Sequence, residues 1–174
     1  RQIDGGEAGI VPVGTTGESP TLTYEEHLKV IEETIKTADG RCQIIAGTGA
    51  NSTHEAVEMT LKAKAMGAEG LYRHFMTVAE ATELPVVLYN VPGRSGIPIN
   101  IDTIIRLRQA NPLIAAVKEA AGSAERVSAI LDGCDITVLS GDDALTLPMM
   151  SVGAKGIISV SSNLIPGEMS AMVR

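Results

Sequence analysis

Short apolar runs alternate with amphipathic helical stretches along almost the whole chain, and this alternation restricts the fold more than any other feature. AGIVPVG (8–14), QIIAG (43–47), PVVLYN (85–90), LIAAVK (113–118), TVLSG (137–141) and KGIISV (155–160) read as buried strands, each apolar and too short for a helix. Thr23 with Glu26 forms a capping box that opens a helix whose apolar residues fall at 28, 31 and 35. Ser52 with Glu55 repeats the signature, opening a helix that runs to about Met66, where Gly67 stops it. Further helices are expected near 101–110, 123–131 and 144–152. Strands separated by helices imply a parallel sheet with right-handed crossovers.

Such a sheet either stays open or closes into a (β/α)8 TIM barrel, and in both its site lies at the carboxyl ends of the strands. Polar residues end every run here: Thr15 and Thr16, Thr48, Tyr89 and Asn90, Lys118 and Glu119, Ser140 to Asp143, and Ser159. An open sheet confines its site to one switch point, so polar ends throughout favour the α/β barrel, as a single domain over 1–174.

One junction breaks the alternation. Only GAEG separates the helix ending near Met66 from LYRHFMTVAEATE, itself helical. A barrel cannot skip a strand and close, so residues are expected to be missing between Gly70 and Leu71, with their Cα atoms far beyond the ~3.8 Å of a peptide link. Six strands are visible, and one here plus one before Arg1 would make eight. The 174 residues also fall short of the ~250 typical of this barrel. The chain opens on Arg1 rather than Met, in mid-pattern, and is expected to continue upstream.

Composition excludes several function classes. A net charge of −7 without a basic face argues against nucleic acid. No apolar run approaches the ~18 residues of a membrane span. Cys42 and Cys134 are far apart, without metal or redox spacing, and read as buried thiols of a reducing compartment, the cytoplasm. Asp142 and Asp143 have no third ligand nearby and read as turn or cap residues, while His27, His54 and His74 form no ligand set. GTGANST (47–53) lacks the third glycine of a dinucleotide fingerprint. Neither a metal nor a cofactor is expected.

Of the six lysines, Lys29, Lys36, Lys62 and Lys64 fall on polar helix faces and Lys155 precedes a strand. Lys118 alone follows an apolar run at a strand's carboxyl end, where desolvation lowers an amine's pKa and leaves it able to attack a carbonyl. The alternative is a lysine snorkelling to solvent or paired with Glu119. Aromatics make up only 2% of the chain, which singles out Tyr89 at the end of the preceding strand. Arg94 follows in a proline-braced loop, suited to a bidentate grip on a carboxylate. GTTGES (14–19) offers two hydroxyls and free backbone N–H groups for a carboxylate, or is a plain strand-to-helix connector.

GTTGES, YNVPGR, VKEA, LSGDD and GAKGIISV occur in this order along the chain. Together they resemble the dihydrodipicolinate synthase branch of the pyruvate-dependent Schiff-base lyases, a family that includes N-acetylneuraminate lyase. The resemblance implies a barrel followed by C-terminal helices, assembled as a homotetramer, a dimer of dimers. It makes Lys118 the Schiff-base lysine, and Tyr89 and Thr16 members of a proton relay. Thr15 and Thr16 would lie by the pyruvate carboxylate, Arg94 would bind the carboxylate of a second substrate, L-aspartate 4-semialdehyde, and Gly141 and Ile158 would line the pocket. Ser19, His27, Asn51 and Glu55 match an effector site for free lysine, whereas Tyr24 stands where another member has histidine. The family's TPYY segment, carrying a further relay tyrosine, is absent and belongs at the 70/71 seam; its first strand and C-terminal helices are absent too. Arg94 and Thr16 favour the synthase over the sister aldolases. The rival from another class is an inactive barrel with a binding role.

Overall fold

The computed structural model describes residues 1–48 and 70–174. They fall into two compact units, Glu58–Ile158 and Arg1–Val57 with Ser159–Arg174. The first is built on a three-stranded parallel sheet in the order β3-β4-β5, comprising β3 (Val86–Asn90), β4 (Ile114–Glu119) and β5 (Thr137–Ser140). Helix α4 (Ile101–Ala110) connects β3 to β4 and α5 (Ala124–Gly133) connects β4 to β5. Parallel neighbours need such crossovers, and the helices then cover the sheet. Leu88, Ile114, Val117 and Val138 of the strands meet Ile104, Leu107, Val127 and Ile130 of the helices in one buried cluster. Burying a side chain of this size stabilises the fold by about 1.5–3 kcal/mol. At the amino ends of the strands Arg108 donates to the carbonyls of Pro112 (2.7 Å), Ile114 (3.2 Å) and Asp135 (2.7 Å), joining the segments that enter β4 and β5.

The second unit holds β1 (Gly9–Ile10) paired in parallel with β2 (Gln43–Ile44), the helix α1 (Tyr24–Ala38), and a final helix, Pro166–Val173. The Thr23–Glu26 capping box forms as expected, with the Glu26 side chain accepting from the Thr23 N–H at 2.8 Å and the Thr23 hydroxyl accepting from the Glu26 N–H at 3.3 Å. Ser170 of the last helix and Arg174 just beyond it both donate to the Gly6 carbonyl. One side of α1 borders an open groove of about 590 Å³, shared with Ile3, Ile10 and Leu22.

The structure shortens three expected strands, AGIVPVG to Gly9–Ile10, QIIAG to Gln43–Ile44 and KGIISV to a single bridge. The rungs Ile45 N–H to Ile10 and Gly47 N–H to Pro12 continue the β1–β2 pairing, but Pro12 has no N–H to return and Val13 adopts φ +48°, so regular strand ends at Ile10. KGIISV keeps only an isolated bridge, Ser140 to Ile157, because Gly156 at φ +153° takes the backbone out of strand geometry. Residues 70–80 are helical (α2), with Gly70 and Leu71 both in that helix. The helix expected from Ser52 to Met66 and most of GTGANST lie outside the described residues.

Candidate active site

Side chains alternate along β4, so neighbours point to opposite faces. Glu119 is fully buried while Lys118 is half-buried, and the alternative pairing of Lys118 with Glu119 therefore does not form. Parallel register sets Lys118 beside Tyr89 of β3 and Leu139 of β5. The Lys118 amine rests on the face of the Tyr89 ring, 4.1 Å from its centroid. Burial holds this amine below the ordinary lysine range, the charge of Arg94 lowers it further, and Asp143 opposes both. Burial also raises the Tyr89 phenol, with Arg94 acting in the opposite sense. Desolvation is the largest cause for each group, as expected for an amine and a phenol where a strand meets a partly closed mouth.

Gly141, just beyond β5, makes room for the lysine. A Cβ built there would meet Ala120 Cβ at 2.7 Å and Lys118 Cε and Cγ at 3.1 and 3.2 Å. Its N–H donates to the Glu119 carbonyl at 2.8 Å, which fixes the glycine against β4. Asp142 is a turn former, its Oδ1 accepting from the Ala144 and Leu145 N–H groups. Arg94 lies on the short turn α3 (Pro92–Ser95), exposed, and acts on Lys118 and Tyr89 through its charge. Ile158 is half-buried, its N–H donating to the Ser140 carbonyl at 2.9 Å. Lys118, Tyr89 and Gly141 are thus in contact, Arg94 and Asp143 act on the lysine through charge, and Ile158 neighbours the end of β5.

The remaining candidates belong to the other unit. Thr15 and Thr16 form a tight turn, Thr15–Gly17, straight after the β1 segment, Thr15 half-buried and Thr16 exposed. Ser19 is buried, and His27 Nε2 donates to the Gly47 carbonyl at 2.6 Å. Asn51 and Glu55 lie outside the described residues. Cys42 and Cys134, expected to be buried, are half-buried free thiols. Among the described residues no three His, Cys, Asp or Glu side chains group as metal ligands would, and no helix is long and apolar enough to cross a membrane.

Sequence reasoning missed a polar cluster beneath the mouth. Asn90 and Glu119, both fully buried, meet directly, and Arg126 of α5 reaches the same carboxylate. The positions of Asn90 and Glu119 at the ends of otherwise apolar strands were the only signal, and Arg126, on α5, gave none.

Across its whole length, residues 1–174, the chain matches the model of the dihydrodipicolinate synthetase family. The chain belongs to the dihydrodipicolinate synthetase family. The 4-hydroxy-tetrahydrodipicolinate synthase of Geotalea daltonii is 50% identical over 99% of this chain, and the chain spans 65% of that relative's length. The dihydrodipicolinate synthase structure from Aquifex aeolicus superposes with a TM-score of 0.89 at 45% identity, covering 99% of this chain and 65% of the other. A chloride-inhibited dihydrodipicolinate synthase from Acinetobacter baumannii, solved in complex with pyruvate, gives 0.87 at 45% identity, covering 99% of this chain and 65% of the other. These likenesses give the fold class, a (β/α)8 barrel that is incomplete in this sequence. The match to the Geotalea relative extends over 189 positions, whereas the chain has 174 residues, so the family member carries at least 15 positions that this chain lacks.

Proposed function

We propose that the protein is a 4-hydroxy-tetrahydrodipicolinate synthase, a lyase that condenses pyruvate with L-aspartate 4-semialdehyde in lysine and diaminopimelate biosynthesis. The observation that carries this reading is the Lys118 amine, held below its ordinary range by burial and set on the Tyr89 ring at the carboxyl end of a parallel strand. The neutral amine is the form that attacks a ketone, and a lowered pKa enlarges the neutral fraction. Lys118 adds to the pyruvate carbonyl and expels water to give an imine. Loss of a methyl proton yields an enamine, its electrons drawn toward the protonated nitrogen. The enamine carbon attacks the aldehyde, and ring closure by the second substrate's amine displaces Lys118. Tyr89 and Thr16 carry protons in these steps. Thr15 and Thr16 take the pyruvate carboxylate, Arg94 takes that of the aldehyde substrate, and Gly141 and Ile158 line the pocket. The relatives' names and the pyruvate complex of the Acinetobacter protein support the choice of substrates.

We further assign the positions absent from this chain to the 70/71 seam, where the alternation of strands and helices fails. They would include the relay tyrosine of the fourth strand. Ser19, His27, Asn51 and Glu55 form the corresponding lysine-effector site, and the chain acts as a cytoplasmic homotetramer. The shortfall of at least 15 positions favours one second reading, an inactive barrel that binds pyruvate without turning it over.

Borohydride reduction in the presence of pyruvate, followed by peptide mass mapping, tests the mechanism. The expected product is a single reduced adduct on Lys118, and an adduct elsewhere or none defeats it. Turnover of aspartate semialdehyde separates the synthase from the binding barrel, and activity on N-acetylneuraminate alone would identify a sister aldolase instead.

A further inference from the structure

Glu119 is a carboxylate with no exposed surface, and three N–H donor groups converge on it in four contacts. Asn90 Nδ2 lies 2.7 Å from Oε1 and 2.9 Å from Oε2. The Ala121 N–H donates to Oε1 at 2.8 Å, and Arg126 Nε donates to Oε2 at 3.2 Å. The network extends in a direction that matters for the mouth. Asn90 Oδ1 accepts from the Ile99 N–H at 2.9 Å, while Arg126 Nη2 donates to the Ile99 carbonyl at 2.7 Å. The segment between Asn90 and Ile99 carries Arg94, so its two ends are closed by the same side chains that hold the carboxylate. Asn90 directly follows Tyr89, and Glu119 directly follows Lys118 in the paired strand.

A carboxylate buried this deeply is costly unless all its lone pairs are met, and a fully satisfied network is correspondingly rigid. A hydrophobic pair would serve if the strand ends needed only to be packed. The polar network does something packing cannot, fixing the direction of two backbones and one loop relative to a single point. We infer that Glu119, through Asn90 and Arg126, is a positioning residue for the Schiff-base chemistry, setting Lys118 against Tyr89 and holding the Arg94 loop over them. This rests on the reading of Lys118 as the imine-forming amine.

Glu119→Gln tests it, because the amide keeps the size of the side chain but turns one acceptor into a donor facing the Asn90 or Arg126 N–H. The rate of borohydride-trapped pyruvate adduct on Lys118 is measured against pH, beside thermal unfolding of the same full chain. The variant is expected to unfold cooperatively, to saturate at a similar pyruvate concentration, and to form adduct about tenfold to a hundredfold more slowly, the scale of loss that follows a small misplacement. Its pH profile should move upward, since a loosened loop weakens the lowering that the Arg94 charge exerts on Lys118. A purely structural pin would lower the unfolding temperature and leave that profile in place. A folded E119Q with the parent's rate and profile overturns the proposal alone. A parent chain that forms no adduct on Lys118 overturns the Lys118 reading and this proposal with it. Should E119Q fail to fold, Asn90→Ser, which leaves the carboxylate its Ala121 and Arg126 donors, carries the same comparison, and an unchanged rate and profile there overturns it equally.

Discussion

The two units of the molecule solve the problem of burial differently. In Glu58–Ile158 three parallel strands and their crossover helices close on one apolar cluster, with Leu88, Ile114, Val117 and Val138 removed from water. In the unit formed by the chain's beginning and end, α1 leaves Tyr24, Leu28, Val30 and Ile35 exposed, Val30 at the edge of the open groove, and the paired strands are two residues each. The better packed unit is the one that carries Lys118, Tyr89, Arg94 and Gly141. An amine whose pKa depends on burial has to sit on a frame that does not breathe, whereas the carboxylate role proposed for Thr15 and Thr16 asks only for hydroxyl and backbone N–H groups, which a turn can supply.

This contrast can be broken by substitution. The largest effect is expected from Ile114→Ala in the middle of the packed cluster, a loss of about 2–5 kcal/mol of stability by chemical denaturation. A smaller loss would show that the sheet is less tightly closed than its burial implies. Gly141→Ala comes next. Its new methyl meets Ala120 and the Lys118 stem, which should cost about 1–3 kcal/mol and slow adduct formation with pyruvate; an unaltered adduct rate would show that the lysine needs no such clearance. Third, imine formation requires the neutral amine, so its rate should climb with pH through the lowered pKa of Lys118. Arg94→Gln removes a lowering influence and should shift that rise to higher pH, whereas Asp143→Asn removes a raising influence and should shift it to lower pH. Shifts of the same sign in both variants would refute this electrostatic account, and added salt should shrink both. The smallest change is expected for Leu28→Ser on the exposed side of α1, within about 0.5 kcal/mol. A large loss would mean that this face is covered in the working protein.

Most of the packed unit was legible in the sequence. Helix α4 matches the expected 101–110, and β3, β4 and β5 begin or end within a residue of their apolar runs, because buried parallel strands and their helices carry strong periodic signals. Lys118 and Tyr89 were legible for the same reason, as polar residues where apolar runs stop. The strand at 8–14 was overread because apolarity does not report the missing N–H of Pro12 or the φ of Val13. Asn90 and Glu119 were legible as polar strand ends, but not their union with Arg126, since the members lie 29 and 7 residues apart in the chain and only the fold brings them together. The barrel itself was reached from where the polar residues fall, and the likeness to solved synthases bears it out.

Arg108 of α4 and Arg126 of α5 divide the sheet between them. Arg126 works at the end that carries Lys118 and Tyr89, and Arg108 knits three carbonyls together at the other. On the proposed reading such a division would let changes at one rim alter heat or cold tolerance without touching the rim where the reaction is placed. An engineer seeking a hardier scaffold would begin at the Arg108 rim, and a search for altered substrate choice would begin at the loop that Arg126 holds.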